Sequence, residues 1–366
     1  MIERLYVHNF RCFENLSIDL TGRGSTLVIG KNGTGKSTLR LALSVFQSIC
    51  RGARVGKLIA GSDFTQQRKN IPMRFEADIK LANKRFKYAL SLEMPEHFRE
   101  ARVKEELLSV DGEFIFSRQQ AQVSQPGSSP FGLDWHVAAL PVINARQALN
   151  DLIQQIKSYF ASMILIAPIP TKMSGYSEEE SFEVQDDAEN LSSWLNALLL
   201  RYPRAYSVVF DYLKLVIPDL ESFENVPRGE KGKQLLVKFQ QQEHKGDLSL
   251  DFRHLSDGEK CIFLSALIVA SNKVNGPVFC MWDEPDNHLS LPEVGHFITQ
   301  LRKMTNTCGQ LIATSHHSET IRNFSDDNTL VFTRTSHLEP TVVRPLSAIP
   351  YNGDLIEALV RDEVIG

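Results

Sequence analysis

The sequence predicts an α/β fold: a mixed or parallel sheet carrying a glycine-rich loop, an antiparallel β region and a small helical lobe. Three observations lead there. Residues 26–29 are apolar, run into the stretch GKNGTGKST at 30–38, and open onto the helix-like 39–43, which is the order strand, tight turn, helix. Residues 278–282 form a second apolar run that ends in Asp283 and Glu284, and residues 310–314 form a third that ends in Ser315, His316 and His317. Residues 72–118 alternate apolar and polar with period two, the mark of antiparallel strands covered on one face.

In chain order, Ile2, Leu5 and Val7, then Leu16, Ile18 and Leu20, predict two short strands around a turn at 11–15. Residues 25–30 form the strand into the glycine-rich loop and 36–50 its helix. Strands follow at 73–81, 85–93, 103–110 and 114–118, with Asp111-Gly112 as a hairpin turn. The polar segment 119–132 (QQAQVSQPGSSPFG) reads as a mobile loop. A helix near 145–160 leads to a buried strand at 163–167. Residues 171–190 crowd seven acids and read as a solvated loop, with a docking role the minority alternative. Leu191, Leu195 and Leu198, and Val209, Tyr212, Leu213 and Val216, repeat at helical spacing and form the lobe, followed by strands near 222–226, 233–239 and 247–252. Residues 355–364 read as one amphipathic helix. The expected division is 1–170, 171–252 and 253–366, the first and last being halves of one lobe.

Composition narrows the function. The chain has 366 residues, 42% hydrophobic and 23% charged, an ordinary globular balance with length for about two domains. Net charge is −4 without a Lys/Arg block, so bulk charge does not advertise nucleic-acid binding, although a local patch remains compatible. Cys12, Cys50, Cys261, Cys280 and Cys308 are scattered and never spaced C-x-x-C, which favours reduced thiols over disulfides or zinc. No signal-peptide core and no apolar run near the ~20 residues of a membrane span is found, so a cytoplasmic protein with no membrane partner is expected.

The stretch Gly30, Lys31, Asn32, Gly33, Thr34, Gly35, Lys36, Ser37, Thr38 fits the phosphate-loop pattern G-x-x-x-x-G-K-[ST]. Glycines let several N–H groups turn toward one phosphate chain, and the helix start adds its positive dipole end. Lys36 can reach β- and γ-phosphates, and Ser37 can hold magnesium. A glycine-rich turn that binds nothing is the alternative, disfavoured by the strand before it and the helix after. Asp283 can hold magnesium, and Glu284, one residue on, can polarise an attacking water as general base. Ser256 and Glu259 make a capping box ahead of an apolar helix. That helix start is either only well capped or a second anion site built from Ser256 and Gly258. His316 follows a strand end, where it can reach a γ-phosphate or the water.

Together these pieces resemble the ABC-type ATPases, in the branch containing SMC, Rad50, RecF and OLD-family proteins, over about residues 1–50 and 253–320. Residues 9–13 (NFRCF) look like that branch's opening strands. Lys36 and Ser37 match its Walker A motif, and Asp283 and Glu284 its Walker B. Residues 255–260 look like its signature, with Asp257 where glycine is commoner and Glu259-Lys260 in place of the usual glutamine. Asp286, Asn287, His288 and Leu289 stand at its D-loop. His316 stands at the switch histidine with His317 its rival, and Ser318 is placed where many relatives carry proline. Gln147, Gln154 and Gln155 are candidates for the Q-loop glutamine. Arg11, Arg51 and Arg54 are either phosphate- or adenine-side contacts or solvated surface arginines.

The resemblance implies an ABC-type ATPase head that binds ATP and magnesium, pairs head to tail with a second copy, and hydrolyses ATP to ADP and phosphate. About 200 residues separate the motif halves, without heptads for a coiled coil, and some 50 follow His316, too few for an added nuclease domain. Such compact heads resemble ATPase subunits of bacterial anti-phage systems. That implies a separate effector, a nuclease or toxin, in defence or DNA repair. The rivals are the ATPase subunit of a membrane transporter and an ATP-sensing scaffold with little turnover.

Overall fold

The computed structural model describes residues 1–144, 147–240, 247–306, 308–351, 353–361 and 364. They form two units, residues 1–163 with 326–366, and residues 164–325.

The first unit contains an eight-stranded antiparallel sheet. Its order is Leu16–Asp19, Ile2–His8, Met73–Leu81, Lys84–Glu93, Arg102–Val110, Glu113–Gln119, Gln122–Ser124, Phe131–Gly132. Asp111 and Gly112 both adopt left-handed φ (51° and 86°), as a two-residue hairpin turn whose twist suits the flanking strands requires. The period-two alternation places Phe75, Tyr88 and Leu90 in the core. There the helices Lys36–Cys50 and Gln147–Ala161 cover them: Phe46 stacks on Phe160 at 4.9 Å and meets Phe75 and Tyr88 edge-on at 6.1 and 5.9 Å.

The segment 119–132 departs from the mobile loop expected of it. Gln122–Ser124 and Phe131–Gly132 extend the sheet, with Arg118 opposite Val123. Buried Arg118 holds the following turn by donating to the carbonyls of Gln120, Asp134 and Val137. Short edge strands need little apolar content, so polarity alone did not reveal them.

Glu106, 2% exposed, is the polar node of this core. Its Oε1 accepts from Tyr88 Oη and Leu140 N, each at 2.8 Å, and its Oε2 from Ala139 N at 2.6 Å. Burial pushes the Glu106 carboxyl above the usual carboxylate range and the Tyr88 hydroxyl well above its own. A glutamine here would turn an NH₂ toward a donor. Glu106→Gln is therefore expected to lower stability by about 1–3 kcal/mol, read as a lower urea midpoint with an unchanged slope.

The same unit holds Ser25–Ile29, buried throughout, parallel to Thr329–Thr333, which pairs antiparallel with Val342–Pro345. The C-terminal helix is shorter than expected, Leu355–Val360, capped by the Asp354 carboxylate; residues 362 and 363 lie outside the described residues.

In the second unit, Phe279–Asp283 lies between Ile164–Ile166 and Gln310–Thr314, parallel to both and in register Asp283 to Thr314. Buried on both faces, such strands read as unbroken apolar runs. Leu220–Arg228, Gly232–Gln240 and Asp247–Asp251 pair antiparallel, with Tyr176–Ser177 on the sheet's margin. Helices Leu191–Arg201 and Ala205–Val216 form the predicted helical lobe. The second meets helix Asp257–Val274, where Tyr212 Oη and Ser265 Oγ share a hydrogen bond.

The acidic stretch keeps most of its carboxylates in solvent, but its backbone is tethered. Asp186 and Asp187 carbonyls accept from Ala167 N and Ile169 N at 2.7 and 2.9 Å, and Val184 and Ala188 are buried. Among the described residues no helix is long and apolar enough to cross a membrane.

Candidate functional site

The chemistry-bearing residues fall into two groups, one in each unit. In the first, the strand Ser25–Ile29 ends at Gly30, where a Cβ would lie 2.3 Å from the Phe332 carbonyl oxygen. At Gly35, φ is +100° and a Cβ would meet Cys12 Sγ and Phe13 Cε1 at 2.7 Å. Both positions exclude any side chain, so glycine is dictated by close approach as well as by backbone hand. Lys31, Asn32 and Gly33 are exposed at the crest of the loop.

Lys36, only 7% exposed, folds back over the loop, its Nζ donating to the Gly30 and Lys31 carbonyls at 2.8 and 3.1 Å. Thr34 Oγ1 donates to Lys31 O at 2.8 Å and tightens the same turn. Ser37 is exposed on the first turn of helix Lys36–Cys50, with Thr38 beside Cys12 Sγ at 3.8 Å. That first turn carries no acid, so the positive end of the helix dipole is left for an anion.

Sequence reading missed the residues that buttress this loop. Arg334 Nη1 donates to Gly33 O at 3.3 Å, and Thr341 donates through Oγ1 to Thr34 O at 2.7 Å and through its backbone to Cys12 O at 3.0 Å. These partners are some 300 positions away in the chain, and nothing local signals them.

Arg51 and Arg54 are not at this loop. They follow the C-terminal end of the 15-residue helix Lys36–Cys50, about 20 Å from its start at 1.5 Å per residue. There Arg51 Nε donates to Ala161 O at 3.0 Å, and Arg54 pairs with Asp134 at 3.0 Å. Arg11, next to the Cys12 and Phe13 that flank Gly35, pairs with Asp63 at 2.9 Å. Gln154 and Gln155 lie on the exposed side of helix Gln147–Ala161; the Gln147 side chain lies outside what the structure describes.

In the second unit, the strand Phe279–Asp283 delivers both acids at its carboxyl end. Thr314 Oγ1, from the neighbouring strand, donates to Asp283 Oδ1 at 2.5 Å and accepts from Glu284 N at 2.9 Å. Glu284 takes the left-handed backbone, φ 54°. His316 Nε2 stands 3.6 Å from Glu284 Oε1. His317 instead caps the short helix Ser318–Arg322, its Nδ1 accepting from Glu319 N at 3.3 Å. Of the two histidines, His316 is the one that faces the acid.

Ser256, Gly258 and Glu259 stand at the start of helix Asp257–Val274. Ser256 Oγ donates to Glu259 Oε2 at 2.7 Å and accepts from Glu259 N at 3.3 Å, and Ser256 N donates to the same Oε2 at 2.8 Å. A Cβ on Gly258 would lie 2.8 Å from His288 O, so the turn that follows Glu284 rests directly on this helix start.

A family model described as "AAA domain, putative AbiEii toxin, Type IV TA system" matches residues 25–322. The chain belongs to that AAA family. The match begins at the strand into the phosphate loop and ends in the helix after His316, so both groups of residues lie inside the AAA domain. Among solved structures, an SMC head bound to the C-winged helix domain of ScpA is similar at 15% identity and TM-score 0.58, over 95% of this chain and 99% of that one. An SMC head with an extended coiled coil, bound to the C-terminal domain of ScpA derived from Pyrococcus furiosus, is similar at 13% identity and TM-score 0.55, over 98% of each chain. The AAA domain thus has the SMC-head fold, the ABC-type architecture its motifs resemble. No curated protein matches the sequence.

Proposed function

We propose that this AAA domain binds and hydrolyses ATP, that two copies pair head to tail around two ATP molecules, and that the paired state signals to a separate effector. The observation that carries the reading is the phosphate loop: Lys36 is held by the loop's own carbonyls above a helix start that carries no acid. An arriving phosphate chain takes over the ammonium from those carbonyls.

By the resemblance to ABC-type heads, Asp283 and Glu284 serve the same nucleotide. Magnesium fits the donors available, since the Ser37 hydroxyl and the Asp283 carboxylate are oxygen ligands and this ion keeps waters and phosphate oxygens as its others. When bound, the ion would neutralise phosphate charge. Lys36 would hold the β- and γ-phosphate oxygens, Glu284 would take the proton of the attacking water, and His316 would orient the water or the γ-phosphate. Ser256 and Gly258 of the second copy would close the site.

For the output, the family's description names a toxin of a type IV toxin–antitoxin system, and both SMC heads carry a domain of another protein, ScpA. The first supports a role in defence and the second an effect passed to a bound partner, here proposed to be a nuclease or toxin.

Pairing is tested with Ser256→Arg in a Glu284→Gln background. The arginine is expected to abolish the ATP-dependent rise in molar mass seen by light scattering while ATP affinity measured on the single head stays the same. A double variant that pairs like its parent would show that residues 255–260 are a capped helix and nothing more.

A further inference from the structure

We propose that Asn287 is a positioning residue for hydrolysis: its side-chain amide holds the Glu284 carboxylate in place for the water. The proposal rests on the reading of Glu284 as general base. Asn287 Nδ2 donates to Glu284 Oε2 at 2.5 Å, while His316 stands on the other oxygen, Oε1, at 3.6 Å. The carboxylate is thus approached from two sides, one oxygen by each neighbour. An amide suits this task because it donates a hydrogen bond yet does not itself exchange the proton that the base must collect.

The turn carrying the pair is built to stay put. Glu284 sits at φ 54°, a backbone region that persists in a residue with a Cβ only where its surroundings over-determine it. Here they do. Glu284 N is held by Thr314 Oγ1 at 2.9 Å, and Asn287 N closes the turn onto Glu284 O at 3.4 Å. Between them Asp286, 4% exposed, takes hydrogen bonds from Ser315 Oγ and Thr320 Oγ1, anchoring the turn's centre in the fold. Asn287 itself is exposed, so shortening it opens no cavity.

The test compares steady-state hydrolysis and ATP affinity for Asn287→Ala, Asn287→Ser and both in the Glu284→Gln background. Asn287→Ala is expected to lower kcat about 10- to 100-fold, the scale of a misplaced reacting group, with KM and ATP affinity within about twofold of wild type. Asn287→Ser, whose hydroxyl still donates, is expected to recover part of the rate. In the Glu284→Gln background neither substitution is expected to cost more. A wild-type kcat in Asn287→Ala, or the same loss with and without the Glu284 carboxylate, would overturn the positioning role while leaving the base assigned. A wild-type turnover in Glu284→Gln alone would instead overturn the base.

Discussion

Glu284→Gln is expected to bind ATP like wild type and to turn it over about 10²- to 10⁴-fold more slowly, the usual worth of a general base. The amide keeps the length and shape of the side chain. Its oxygen can still accept from Asn287, and its backbone is still fixed by Thr314. What it loses is the ability to take a proton. Single-turnover hydrolysis of radiolabelled ATP, with affinity measured by calorimetry, separates the two effects. An unchanged turnover would move the base elsewhere, and His316, facing the other oxygen of the same carboxylate, is the first place to look.

Lys36→Ala is expected to remove detectable nucleotide binding. The ammonium is nearly buried and satisfied by two backbone carbonyls of the loop. Without it, phosphate oxygens would meet those carbonyls, acceptor against acceptor, with no donor between. Truncating one member of such a charge pair costs about 2–5 kcal/mol, which is roughly 30- to 4,000-fold in affinity. Calorimetry checks the loss, and a melting curve checks that the domain stays folded. Wild-type affinity would show that the loop does not hold the phosphates.

How far these sites could be read in advance depended on whether their determinants are local. The phosphate loop is one contiguous stretch with a strand before it and a helix after, so Gly30 to Thr38 stood out from pattern alone. The strands between 73 and 118 announced themselves because one covered face imposes period two. Phe131–Gly132 did not, because a two-residue edge strand exists only through its partner at Gln122–Ser124. Arg51 and Arg54 were plausible phosphate contacts as charges close to the motif in sequence, until the length of the intervening helix carried them away. Thr314, Thr341 and Arg334 matter through strand register and loop approach, which a chain read in one dimension does not display. Asp286 and Asn287 were legible only through the resemblance, as its D-loop, and not as partners of Ser315, Thr320 and Glu284.

The Ser256 hydroxyl has a single proton, and in the isolated chain that proton already belongs to Glu259. In the proposed pairing, an incoming phosphate oxygen would have to win it from a carboxylate, one anion displacing another. Pairing through this hydroxyl would then be an exchange reaction whose strength is a small difference between two acceptors. The Ser256 hydroxyl is thus no idle donor for sulfate or free phosphate to recruit. A phosphate delivered with the rest of a matching surface would bring the additional interaction needed to shift the proton, and the capping box would then act as a threshold against chance anions.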